Sequence, residues 1–115
     1  MAECIIYFSI LFLVACIMFA IGISQLKSRE PVGFYTGVKA PEKNKLRDVR
    51  AWNRKHGIMW ILYGGSILLC GLISLVAGVL ECDSVFLIIM ECAVWVAGIF
   101  VMAWYHGRLE KRYRL

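Results

Sequence analysis

Basic residues are missing from most of this chain. Of its 13 Lys and Arg, none precedes Lys27 and none falls between Lys55 and Arg108. Charge of either sign is absent from Cys4 to Leu26 (23 residues) and from Gly57 to Leu80 (24 residues), and Val85 to His106 (22 residues) holds only Glu91. A water-soluble domain averages about 45–50% apolar residues; this chain has 61%, which excludes an ordinary soluble fold. The long runs also lack the polar–apolar alternation of a membrane β-strand, which excludes a barrel. No nucleophile elbow, P-loop, HExxH, dinucleotide fingerprint or pair of catalytic carboxylates is present, so the familiar hydrolytic and nucleotide chemistries have no motif to stand on. No CxxC or Cys/His spacing points to a metal or another cofactor. The first run lacks a basic leader and a small-x-small cleavage site, so it reads as a retained helix rather than a signal peptide.

What is present is three runs of membrane-crossing length, since about 30 Å of hydrocarbon takes about 20 helical residues. The sequence therefore predicts an all-α, polytopic membrane protein forming one membrane domain. Its parts are a first span at 4–26, a loop at 27–56, a second span at 57–80, a turn at 81–84, a third span at 85–106 and a tail at 107–115. Nine cations against three acids lie in the loop, four against one lie in the tail, and the other two connections carry only acids. By the positive-inside rule the N-terminus is outside, and the loop and C-terminus are cytoplasmic. The expected partners are the bilayer and its anionic headgroups rather than nucleic acid.

Lipid does not drive apolar helices together, so close approach at small residues must. Ser66, Cys70, Ser74 and Gly78 recur every fourth residue on the second span, with Gly64, Gly71 and Ala77 beside them. Cys16, Ala20 and Ser24 form a shorter stripe on the first span, and Ala93, Ala97 and Gly98 one on the third. Packing within one bundle and a homo-oligomer seam both fit these stripes. Cys4 and Cys82 share the outer end, where a disulfide can persist; chance placement is the competing reading.

Glu91 requires explanation, because an acid at mid-membrane costs about 2.5–3.5 kcal/mol even on lenient insertion scales. It lies roughly 9 Å below the outer boundary at 1.5 Å per residue. Counting outward from the 81–84 turn puts Ser74 at its level, which predicts a Ser74–Glu91 hydrogen bond. An ion or proton site, an acid that staples helices, and an acid that snorkels to the surface all remain open. The same counting brings His56 and His106 to one depth at the inner face, as a relay, a phosphate contact or two interfacial rings.

In the loop, Pro31 to Gly37 reads as a turn, and Ala40-Pro41-Glu42 as a helix start. Leu46, Val49 and Trp52 then fall on one side of a basic amphipathic helix expected to lie on the inner leaflet and to enter the second span. Its polar residues Asp48, Arg50, Asn53 and His56 belong either to a plain surface helix or to a docking site. Asp48 among Lys45, Arg47 and Arg50 reads as an ion-paired acid.

Gly33-Phe34-Tyr35-Thr36, followed by Ala51-Trp52-Asn53 and by His56 at the mouth of a span, resembles the SdpI/YhfL-type small bacterial membrane proteins. The resemblance covers about residues 31–60. That block is a Gly-x-Arg-Thr turn and a Trp-containing helix ending in Asn or His; Tyr35 replaces the Arg. The resemblance implies a bacterial cytoplasmic-membrane protein, with immunity or sensing as its role. With no catalytic motif, the leading expectation is a non-enzymatic protein acting through protein–protein contacts in the bilayer. A small oligomeric transporter or channel using Glu91 follows. A lipid-phosphate enzyme using His56, His106 and the basic loop comes third.

Overall fold

The computed structural model describes residues 2–33, 41–81 and 85–115. They form three long helices, α1 (Ala2–Lys27), α2 (Val49–Val79) and α3 (Val85–Tyr113), with a short 3-10 turn at Lys43–Lys45. All three helices are long and apolar enough to cross a membrane. Among the described residues there is no strand, only one isolated antiparallel bridge between Leu46 and Arg114.

The helices overshoot the apolar runs that announced them. α2 has 31 residues and α3 has 29, so at about 1.5 Å per residue each is longer than the roughly 30 Å of a hydrocarbon core. The surplus turns, Val49–His56 and Gly107–Tyr113, lie together at one end with most of the cations. This is the basic end of the bundle; the other holds Glu3 and Glu81.

That extension corrects the loop reading. No separate surface helix begins at Pro41. Asp48, with extended backbone, caps α2 by accepting the Ala51 amide at 3.1 Å, and Val49 starts the helix. A side-chain oxygen at the N-cap satisfies an orphan amide, which the Pro41 start lacks. The same bond, rather than an ion pair with Lys45, Arg47 or Arg50, occupies the Asp48 carboxylate. Leu46 and Trp52 do not face lipid: they are buried with Leu109 of α3, against Val32 and Val49. The expected tail at 107–115 is instead helical to Tyr113, and Arg47 N–H donates to Tyr113 O at 2.8 Å while Leu115 N–H donates to Lys45 O at 2.8 Å.

α1 and α2 pack antiparallel along a seam of glycines spaced by seven: Gly57, Gly64, Gly71 and Gly78. Cys4 meets Gly78, Leu11 meets Gly71, and Met18 and Ala15 meet Gly64. At the basic end Gly22 and Gly57 face each other, and a Cβ on either would sit 2.7 Å from the other's carbonyl oxygen. A seven-residue repeat is the mark of left-handed helix packing. The four-residue stripe read from the sequence shares Gly78 with this seam, and Gly64 and Gly71, read as widening that stripe, lie in it too. Of its members Ser74 turns to α3 and Gly78 to α1. The stripes of the other helices, Cys16-Ala20-Ser24 and Ala93-Ala97, lie on the exposed outside of the bundle.

α3 meets α2 through large side chains. Met59, Trp60 and Met102 form a buried cluster. The Tyr63 ring covers Gly98, where a Cβ would come within 2.6 Å of it, and its hydroxyl donates to the Trp95 carbonyl at 3.0 Å.

Candidate functional site

Two polar centres are held between the helices. Towards the acidic end, Glu91 on α3 is 4% exposed. Its Oε1 accepts from Ser74 Oγ at 2.6 Å and from Tyr7 Oη at 3.0 Å, so one carboxylate oxygen ties all three helices together. Its Oε2 is buried without a hydrogen-bond partner. Tyr7 was not foreseen. The 27–56 connection is too long to fix the register of α1 by counting, so no sequence signal placed it at this level. A carboxylate with one satisfied and one bare oxygen can accept a further proton or hydrogen-bond donor there.

At the basic end Trp52, Asn53 and His56 occupy successive inward positions of the first two turns of α2. Trp52 and His56 are both 0% exposed, with Val32, Leu46 and Leu109 packed on Trp52 and the His106 ring against His56. Trp52 Nε1 donates to Val32 O at 2.7 Å. Asn53 Oδ1 accepts from Val32 N at 3.0 Å, and its Nδ2 donates to Ser28 O at 3.1 Å and Glu30 O at 2.9 Å. These two side chains clasp the strand of chain leaving α1. Gln25 adds a bond from Nε2 to Gly33 O at 3.3 Å. Gly33 is therefore in this clasp, while Tyr35, Thr36 and Gly37, like Cys82, lie outside the described residues.

His56 and His106 meet here. His56 Nδ1 lies 2.8 Å from Trp52 O, and its Nε2 lies 2.7 Å from His106 Nδ1. A carbonyl only accepts, so His56 carries its proton on Nδ1. A neutral His56 then presents a bare Nε2, and His106 must donate from Nδ1. His106 Nε2 in turn lies 3.4 Å from Glu110 Oε1, and Arg114 lies 3.8 Å from the same oxygen. The result is a row of polar groups in contact from a part-exposed carboxylate to a buried ring. Glu110 was missed, although it sits one helical turn beyond His106, a spacing at which side chains meet. The Trp52 ring packs against His56 with centroids 4.3 Å apart and the planes tilted by 48°.

Arg50 belongs to neither centre. It stands on the outer side of α2 at the mouth of a cleft of about 790 Å³ between α2 and α3. Arg54 and Lys55 share that mouth with Asp48, Ile58 and Leu62 continue the α2 wall, and Val101 and Trp104 form the α3 wall. Arg54, Leu62 and Trp104 were not singled out from the sequence, although Arg50, Arg54, Ile58 and Leu62 recur at a spacing of four. Among the described residues no group of His, Cys, Asp and Glu is placed to hold a metal ion. Compared with protein-family models, with curated proteins and with solved structures, the chain matches none.

Proposed function

We propose that the chain is a non-enzymatic, multi-pass protein of the bacterial cell membrane that binds a partner within the bilayer, as an immunity or sensing protein does. One observation carries this reading. The buried polar groups of Trp52, Asn53, His56 and Ser74 are spent within the bundle, on side chains and on the backbone, whereas the cleft between α2 and α3 stays open. A catalytic group must reach its substrate, and His56 is enclosed. An open, mostly apolar recess with a few polar groups at one end is instead the usual form of a binding site.

The lopsided placement of cations supports an external N-terminus and a cytoplasmic C-terminus. The resemblance over residues 31–60 supports the bacterial membrane and the immunity or sensing role. The small-residue stripes left uncovered on α1 and α3 support a homo-oligomer, because such faces let helices approach closely. Photocrosslinking from position 62 in native membranes tests the binding role. A discrete adduct lost in an Arg50→Gln/Arg54→Gln variant is expected, and turnover of lipid phosphate by the purified protein would overturn the reading.

The bare Oε2 of Glu91 favours a second reading, a small proton-coupled transporter or channel subunit. It requires pH-dependent flux in liposomes that Glu91→Gln abolishes.

A further inference from the structure

We propose that the cleft between α2 and α3 is a site for one anionic phospholipid, its headgroup on Arg50 and Arg54 and an acyl chain along Ile58, Leu62 and Trp104. This rests on the binding role above and names the ligand.

The first argument is the pattern on α2. Arg50, Arg54, Ile58 and Leu62 follow one another at four-residue intervals, so they form one stripe along the helix. The stripe is cationic for one turn and apolar for the next two. From Arg54 to Leu62 it runs about 12 Å at 1.5 Å per residue, matching a charged head with a chain beside it. All four residues line the same cleft, whose volume of about 790 Å³ is within the roughly 300–1,000 Å³ of ordinary ligand sites.

Charge is the second argument. Three cations, Arg50, Arg54 and Lys55, stand at the mouth against one carboxylate, Asp48. Asp48 Oδ1 is already committed to the Ala51 amide. Lys55 lies 5.6 Å from the Tyr113 ring centre. No acid among the described residues pairs with Arg50 or Arg54, and guanidinium groups suit the bidentate geometry of a phosphate diester.

Depth is the third. The mouth lies on the surplus turns of α2, beyond the charge-free run that starts at Gly57, and the wall lies within that run. Trp104 and Tyr105 stand at the boundary, where aromatic rings favour the headgroup zone. Arg108 lies over the Trp104 ring, 5.1 Å from its centre. At the far end the cleft is closed by Tyr63 over Gly98, which sets the depth to which a chain can enter.

Native mass spectrometry of the full chain in micelles tests this, with phosphatidylglycerol and phosphatidylcholine of identical chains as probes. One phosphatidylglycerol should survive activation that strips phosphatidylcholine, a preference of about tenfold or more for two cations near a headgroup. Arg50→Gln/Arg54→Gln should abolish the preference, and Leu62→Trp should lower retention of phosphatidylglycerol. Lys111→Gln/Arg112→Gln, on the α3 extension away from the cleft, should leave the preference intact. Equal loss in that control would overturn the site in favour of diffuse attraction. Displacement of the lipid by glycerol phosphate alone would overturn the chain contact. A protein adduct at position 62 without any lipid preference would keep the binding role and sink the lipid.

Discussion

The two seams of this bundle are built on opposite principles. α1 and α2 meet through an absence of side chains, at glycines that let one backbone touch the other. α2 and α3 meet through an excess of them: Tyr63, Met59, Trp60 and Met102 prop the helices apart, and Ser74–Glu91 and His56–His106 pin them at two levels. In lipid the first kind of contact is dispersion over a long continuous strip, and the second is a few polar bonds with space between them. The cleft lies along the second. α1–α2 is thus the frame, and α3 is the element that a ligand can address.

Breaking the frame should cost most. Gly57→Val introduces a Cβ 2.7 Å from Gly22 O and 2.8 Å from Leu26 Cγ. Neither backbone oxygen nor packed branch can yield cheaply, and a destabilisation at or above the usual 1–3 kcal/mol for overpacking is expected. Thermal unfolding in detergent measures it. Gly65→Ala is the control, since nothing lies within 4 Å of its added Cβ. It should be neutral or gain about 0.5–1 kcal/mol from helix propensity. Equal effects at the two sites would end the contrast between the seams.

Next comes the clasp. Asn53→Ala strips partners from Val32 N–H and from the Ser28 and Glu30 carbonyls at once. An unpaired buried polar group costs about 1–3 kcal/mol, so the chain after α1 should loosen. Limited proteolysis near residues 28–33 should accelerate, with the long helices retained by circular dichroism. A protected segment would show that the clasp is incidental.

These residues also mark how far the sequence could be read. The three spans were plain, because lipid demands long uncharged runs, but the charged turns that extend α2 and α3 past those runs were not. Depth was readable too: across a short turn, levels follow from a constant rise, so Ser74 could be matched to Glu91 and His56 to His106. Rotation was not. Each span is apolar on every side, so no polar face shows which way a helix turns; Gly64, Gly71 and Gly78 stood out as small residues, but their seven-residue repeat with Gly57 did not. The cap made by Asp48 and the burial of Asn53 were not legible because their partners are backbone atoms, which carry no sequence signal. Tyr7 lay across a connection too long to count.

The polar pins should be weaker than either. Ser74→Ala and Tyr7→Phe each remove one donor from Glu91 Oε1. Interhelical hydrogen bonds in membranes average about 0.6 kcal/mol and reach about 1.7. Because both donors share one acceptor oxygen, the double variant should be non-additive, read by a double-mutant cycle on detergent unfolding. Strict additivity would mean that the two bonds are not held at once.

The smallest effect on stability is expected at Tyr63, and it separates prop from pin. Tyr63→Phe removes only the bond to Trp95 O and keeps the ring over Gly98, so unfolding should shift by no more than about 0.6 kcal/mol. The spacing of α2 and α3 depends on the ring, so phosphatidylglycerol retention should match the unchanged chain. Tyr63→Ala instead removes the prop and lets α3 settle towards α2. If both variants keep the lipid equally, the ring does not set the cleft; if both lose it, the hydroxyl bond, not the bulk, holds α3 away from the frame.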